Sequence, residues 1–283
     1  MSKFIYEQVT AKIIKELEAG ALPWLKEWKG KPLINHNIIS NKSYNGINRI
    51  LLGLDSMVKG YTSAAWGTYK QWKQLGFQVN KGEKASHIVF YSKVEKTAIN
   101  ENELTIENKS FYLMKGYSVF NANQTNYIEA PASEQSFNSL ENAENTILKS
   151  NVTIKHGGNE AFYNSTNDFI QLPNKAAFNS EASYYGTAFH ELIHSTGHKS
   201  RLNRELGNKF GTEAYAFEEL IAELGASFLC NDHGIQGELR HAGYIASWLK
   251  VLKNDHKAIF TAAAMAQKAA DFINNREALQ KAA

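Results

Sequence analysis

The chain has 283 residues, 43% of them hydrophobic and 21% charged, which is enough apolar content for a buried core and excludes disorder along its length. At roughly 150 residues per domain there is room for two domains or one large one. No run approaches the ~20 apolar residues that span a bilayer, the first residues lack a basic-then-apolar signal pattern, and the single cysteine, Cys230, excludes an intramolecular disulfide, so the expectation is a cytoplasmic protein with no membrane partner.

The net charge of +3 hides a division. Residues 1–125 hold 17 Lys and Arg against 10 Asp and Glu, a net of +7, whereas residues 126–283 hold 14 against 18, a net of -4. Trp24, Trp28, Trp66 and Trp72, four of the five tryptophans, fall in the basic part. Two modules with different partners are expected.

In chain order, residues 3–19 read as an amphipathic helix, with Ile5, Val9, Ile13 and Leu17 four apart and Gly20 as its stop. A Trp/Pro segment follows, then turn chemistry ending in Tyr44-Asn45-Gly46 and a short helix over 48–58. Ser63 is placed to cap a helix running to Leu75 and ended by Gly76. From Phe77 two β-branched and aromatic runs joined by a polar stretch predict a hairpin. Residues 126–150 read as a linker and connecting helix. Strands near 152–156, 161–164 and 169–173 follow, then helices near 182–198, 213–231, 236–253 and 256–279. The reading is an α+β chain: a basic nucleic-acid-binding module over 1–125, and a small sheet with helices over 151–283.

Residues 190–194 are His-Glu-Leu-Ile-His, an HExxH. On a helix, positions i and i+4 share a face, so His190 and His194 can present two imidazoles to one ion. Glu191 is then placed to take a proton from a water at that ion. An open site for hydrolysis needs three protein ligands, so a third is expected downstream. Glu218, Glu219 and Glu223 supply candidates. Glu219 and Glu223 are again four apart; one can bind the ion while the other orients a ligand histidine, and spacing alone does not say which. His198 is a rival but lies at the helix end beside Gly197. The longer pattern HExxHxxGxxH would need a third histidine where Ser200 stands.

Glu219-x-x-Ala222-Glu223 resembles the ExxAD or ExxAN element of zincins whose third ligand is glutamate, with Glu in place of the final Asp or Asn. That resemblance implies Glu219 as ligand, Glu223 as the supporting acid and a zinc-dependent metallopeptidase; Mn²⁺ or Co²⁺ fits the same ligands. It also implies attack on a carbonyl, with the strand from Asp168 to Leu172 free to pair with an extended peptide.

In the basic module, Trp66, Tyr69 and Trp72 interleave with Lys70, Lys73, Lys81 and Lys84. Aromatic stacking and phosphate neutralisation together bind single strands without reading bases. The same aromatics at helical spacing also suit a plain core. The runs from Trp24 through Asn35, Tyr44-Asn45-Gly46-Ile47-Asn48, Trp66-x-Thr68-x-x-Gln71 and Lys81-Gly82-Glu83-Lys84 resemble the N-terminal domain of ArdC-type antirestriction proteins, a domain similar to one in conjugative-plasmid primases. The later HExxH and Glu218–Gly225 runs continue the likeness. What it implies is a single-stranded-DNA-binding domain, with Trp24, Tyr44, Asn48 and Thr68 added to its contact residues, joined to a zincin-like domain. Such proteins are carried by mobile elements and protect incoming DNA from restriction; a host restriction or DNA-associated protein is the expected second partner. The rival expectations are a metallopeptidase acting on DNA-associated proteins and a non-enzymatic decoy with a structural metal.

Overall fold

The computed structural model describes residues 2–20, 22, 24, 34–100, 105–128, 139–204, 206, 211–235 and 244–274. Trp28, the middle of the linker and residues 236–243 of the third expected C-terminal helix lie outside them.

Helix α1 (Ser2–Glu18) buries Ile13 and Leu17, the far half of the stripe expected from four-residue spacing, and Gly20 follows at φ 77°, a left-handed conformation that glycine adopts without strain. Strand β1 (His36–Asn37), helix α2 (Ile47–Lys59) and strand β2 (Ala65–Gly67) come next. Here the structure corrects the expected cap. Ser63 does not start a helix; its Oγ accepts from Ala65 N at 3.1 Å. Residues 65–67 are drawn into the sheet, so helix α3 (Tyr69–Gln74) begins only after Thr68. Thr68 and Gln71 form the reciprocal capping pair, a feature worth about 1 kcal/mol.

Strands β3 (Ser86–Asn100) and β4 (Thr105–Asn121) form the expected hairpin, and the sheet order is β1-β2-β4-β3. Helix α4 (Ser139–Lys149) is the connecting helix. Strands β5 (Thr153–His156), β6 (Phe162–Asn164) and β7 (Phe169–Leu172) make a second sheet in the order β5-β7-β6. Helices α5 (Glu181–Thr196), α6 (Glu213–Asp232), α7 (Ile245–Asn254) and α8 (Ala258–Ile273) complete the chain. Among the described residues, no helix is long and apolar enough to cross a membrane.

Two features position the site. Helix α5 starts at Ser180, whose side chain caps Ser183 N, and buries Phe189, Leu192 and Ile193. Helix α6 packs against it so closely that a Cβ on Gly225 would sit 2.7–3.0 Å from three atoms of the Ile193 side chain. The basic module is not a separate core: Ile13, Leu17, Trp24, Ile50 and Leu51 share one apolar cluster with Leu220, Leu224, Trp248 and Ile259.

Candidate metal centre and nucleic-acid interface

His190 and His194 stand one turn apart on α5, with their Nε2 atoms 3.1 Å apart. Glu219 on α6 reaches both, 3.4 Å from His190 Nε2 and 3.5 Å from His194 Nε2. Ligand atoms of these three residues all lie within 4.8 Å of one another. Two imidazoles and a carboxylate, buried and converging from two helices, fit one divalent ion. Glu219 is therefore the third residue of the cluster. His198 follows the helix end and pairs with Ser200 Oγ at 2.7 Å, outside that group.

The other two glutamates stand behind the histidines. Glu218 Oε1 is 3.2 Å from His194 Nδ1. Glu223 Oε2 is 3.8 Å from His190 Nδ1. Each second imidazole nitrogen thus has a carboxylate near it, the arrangement that orients a ligand ring and fixes its tautomer. The zincin resemblance singled out Glu223 for this, while Glu218 stood only as a candidate ligand; the missing information was the rotation of α6 against α5, which no local spacing encodes.

Electrostatics follow from burial. Burial alone would lower the His194 pKa, but the Glu218 and Glu219 carboxylates outweigh it and hold the ring up at about 10 in the absence of an ion. Glu219 is held well below the usual carboxylate range by the two histidines, against the effect of its burial. Burial pushes Glu223 the other way, up to about 7.

The cluster opens on a cavity of about 390 Å³. Glu191 lines it beside the ligand residues, and Phe162, Tyr163 and Tyr215 contribute to its walls. Strand β7 is the central strand of its sheet, paired with β5 and β6 on its two sides. It therefore has no free edge for a peptide, which overturns the expected pairing along Asp168–Leu172. Asp168 instead binds Arg201, whose Nε donates to Ser195 O at 2.6 Å and so ties the end of α5 to this sheet.

The expected DNA-contact residues divide. Trp66 and Trp72 are fully buried, their indole N–H groups donating to Asn35 Oδ1 and Phe120 O. Trp24 is buried edge-on against Trp248, with Ser227 Oγ donating to its carbonyl. These three rings are core and offer no face to a base. Asn48 is committed to Val89, donating to its carbonyl and accepting from its N–H. Thr68 is the α3 cap, and Tyr44 is half-buried beside Asn37. By contrast Tyr69, Lys70, Lys73, Lys81 and Lys84 are exposed. Phe90 and Tyr117, which sequence reasoning missed, are also exposed, with ring centroids 6.3 Å apart and Lys115 directly across from Phe90.

Comparison with known proteins agrees with this architecture. The model for the N-terminal domain of anti-restriction factor ArdC matches residues 3–120, and that for a zincin-like metallopeptidase matches residues 141–265. The chain is 37% identical to the uncharacterized protein y4eC of Sinorhizobium fredii, over 96% of this chain and 92% of that protein. It is 38% identical to the DNA primase TraC of Escherichia coli, covering 96% of this chain and 27% of the primase. Two crystal structures of the antirestriction protein ArdC from the R388 plasmid superpose over nearly the whole chain. The metal-free one gives a TM-score of 0.78 at 39% identity, covering 96% of this chain and 97% of that one. The Mn(II)-bound one gives 0.79 at 38% identity, covering 95% and 97%. With both modules matched in the same order and the fold shared end to end, this chain belongs to the ArdC family of antirestriction proteins.

Proposed function

We propose that this antirestriction protein binds single-stranded DNA without sequence preference and uses a zinc-dependent peptidase centre, in the cytoplasm of a cell receiving a conjugative element. The observation that carries the peptidase reading is the convergence of His190, His194 and Glu219 within 4.8 Å, with Glu191 on the wall of the same cavity. A divalent ion there supplies Lewis-acid polarisation of a carbonyl and a more acidic water; two imidazoles and a carboxylate suit zinc. Glu191 accepts the proton released by the attacking water and passes it to the departing amine. Strand β6 borders its sheet and lines the cavity through Phe162 and Tyr163, so an extended substrate can add at that edge.

The DNA reading rests on the exposed set Tyr69, Lys70, Lys73, Lys81 and Lys84, together with Phe90, Tyr117 and Lys115. Aromatic faces stack on any base and lysines neutralise phosphates. The names of the relatives, an antirestriction protein and a DNA primase, support the same direction.

The test is protection of transferred DNA from restriction, comparing Glu191→Ala with the combined Lys70→Ala/Lys73→Ala change. Loss of protection in both variants supports the proposal. Protection that survives Glu191→Ala but not the lysine change identifies a DNA-binding decoy and overturns the peptidase role.

A further inference from the structure

The HExxH motif, Glu219 and the glutamates behind the histidines leave one buried charge beside the centre without a role, Arg204. Arg204 and Glu218 face each other with side chains only 7% and 6% exposed, immediately behind His194. Arg204 Nη2 lies 2.7 Å from Glu218 Oε1, and its Nε lies 3.1 Å from Oε2, a two-pronged contact. The same guanidinium donates to Ile193 O at 2.8 Å and to Thr196 Oγ1 at 2.6 Å. The Arg204 N–H donates to Gly197 O at 3.0 Å. One side chain therefore gathers the last turn of α5 and the start of the α6 acidic run.

The chemistry gives this clamp a direction. Glu218 Oε1, the oxygen bound by Arg204, also receives His194 Nδ1. An imidazole that gives its Nδ1 proton to a carboxylate presents the Nε2 lone pair, and the His194 Nε2 is the atom that faces His190 and Glu219. The Glu218 side chain is only 6% exposed, and a buried carboxylate needs a fixed charged partner, which Arg204 supplies. Lysine could supply charge but not the planar fork that holds both carboxylate oxygens while reaching two acceptors on α5.

We infer that Arg204 is a positioning residue of the metal centre, acting through Glu218 to fix the tautomer and orientation of His194. Arg204 is then part of the site, although it is not among the residues that line the cavity. This inference rests on the metal-centre reading above.

The experiment is zinc affinity of the full chain, measured by chelator competition, with the thermal stability of the metal-free form recorded in parallel. Glu218→Gln, nearly isosteric, and Arg204→Met should each weaken binding about 10- to 100-fold, the usual effect of removing an outer partner of a ligand histidine. Arg204→Lys should recover part of that loss. Arg201→Met is the control: it breaks a neighbouring ion pair that also anchors the end of α5, through Ser195 O, without touching His194. It should lower stability while leaving zinc affinity within about twofold of the parent. Parent-like affinity in Glu218→Gln, or an equal loss in Arg201→Met, overturns the positioning role. A parent chain that binds no zinc overturns the metal centre itself, a separate result.

Discussion

Arg49 of the basic module is buried against Asp232 at the end of α6, its Nη2 2.6 Å from the carboxylate. The guanidinium also donates to Phe228 O and lies 4.6 Å from the centre of the Phe228 ring. Opposite charges that divide the sequence into halves thus meet inside the fold, and they do so on the helix that supplies Glu219. Removing Arg49 takes the charged partner from a buried carboxylate, leaving Asp232 with the Asn274 amide, which donates to its other oxygen at 3.2 Å.

Arg49→Ala should therefore cost about 3–5 kcal/mol, and the loss should appear in both halves at once. Urea unfolding followed by tryptophan fluorescence and by far-UV circular dichroism should give coincident transitions, displaced together to lower denaturant. Two separate transitions, only one of them moved by the substitution, would contradict a shared core.

The burial of the tryptophans separates stability from DNA affinity. Trp66→Ala empties a fully buried site and should cost about 3–5 kcal/mol. Tyr69, 53% exposed, is the opposite case. Tyr69→Ala should leave the melting temperature nearly unchanged while weakening single-strand binding by about 1–3 kcal/mol, one stacking contact. Fluorescence anisotropy with a labelled oligonucleotide, repeated at two salt concentrations, checks both this loss and the expected fall of affinity with salt.

How much of this was legible in the sequence depends on the range of each contact. The His190–Glu191–His194 arrangement is set by helical periodicity, so the spacing alone placed both imidazoles on one side of α5. Glu219 was picked out only by the resemblance of Glu219-x-x-Ala222-Glu223 to a zincin element, since spacing left Glu218 and Glu223 open as well. The burial of Trp66 and Trp72 was left open, because aromatics at helical spacing suit a solvent face and a core alike, and Trp66 lies on strand β2 rather than on a helix. Thr68 displaced Ser63 as a cap because residues 65–67 were claimed by sheet pairing with a segment more than 50 residues away. Arg204 belongs to no motif; its part emerges only when α5 and α6 are docked.

That docking depends on Gly225. Any side chain there meets Ile193, one residue before His194, and Ile193 is itself fully buried. Gly225→Ala should force the two helices apart by a few tenths of an ångström or displace Ile193, at about 1–3 kcal/mol. Because Glu219 rides on the same helix, zinc affinity should fall as well. Gly225→Ala combined with Ile193→Val, which returns part of the space, should recover both quantities in part. Recovery of stability without recovery of affinity would show that the helix spacing does not set the ligand geometry.

The Asp168–Arg201 pair predicts a pH response outside the metal centre. Arg201, then Tyr163, hold the Asp168 carboxyl at about 2, below its ordinary 3.8, with burial acting the other way. A carboxylate with a depressed folded-state pKa contributes stability that is present in full above pH 3.8 and is lost as the pH falls through about 2. Asp168 is 36% exposed, so solvent screening limits the contribution to about 1 kcal/mol or less. Arg201→Met removes the main cause of the depression, so the stability difference between parent and variant should be constant from pH 7 to about 5 and shrink between about 4 and 2.

Metal removal gives the most direct test of the centre. An ion that binds only the folded chain stabilises it by about 2.7 kcal/mol at 100 times its Kd. Zinc should therefore raise the melting temperature by several degrees, and excess chelator should reverse the rise. Glu219→Ala and His194→Ala should abolish the zinc-dependent shift, since each removes one of the three converging side chains. Glu191→Gln should retain the shift in full, because Glu191 lines the cavity but is not among the three converging groups. The same variant should lose about 10²- to 10⁴-fold in peptide hydrolysis, the range for removing a general base. A zinc shift that disappears in Glu191→Gln would make Glu191 a ligand and reassign the chemistry of the site.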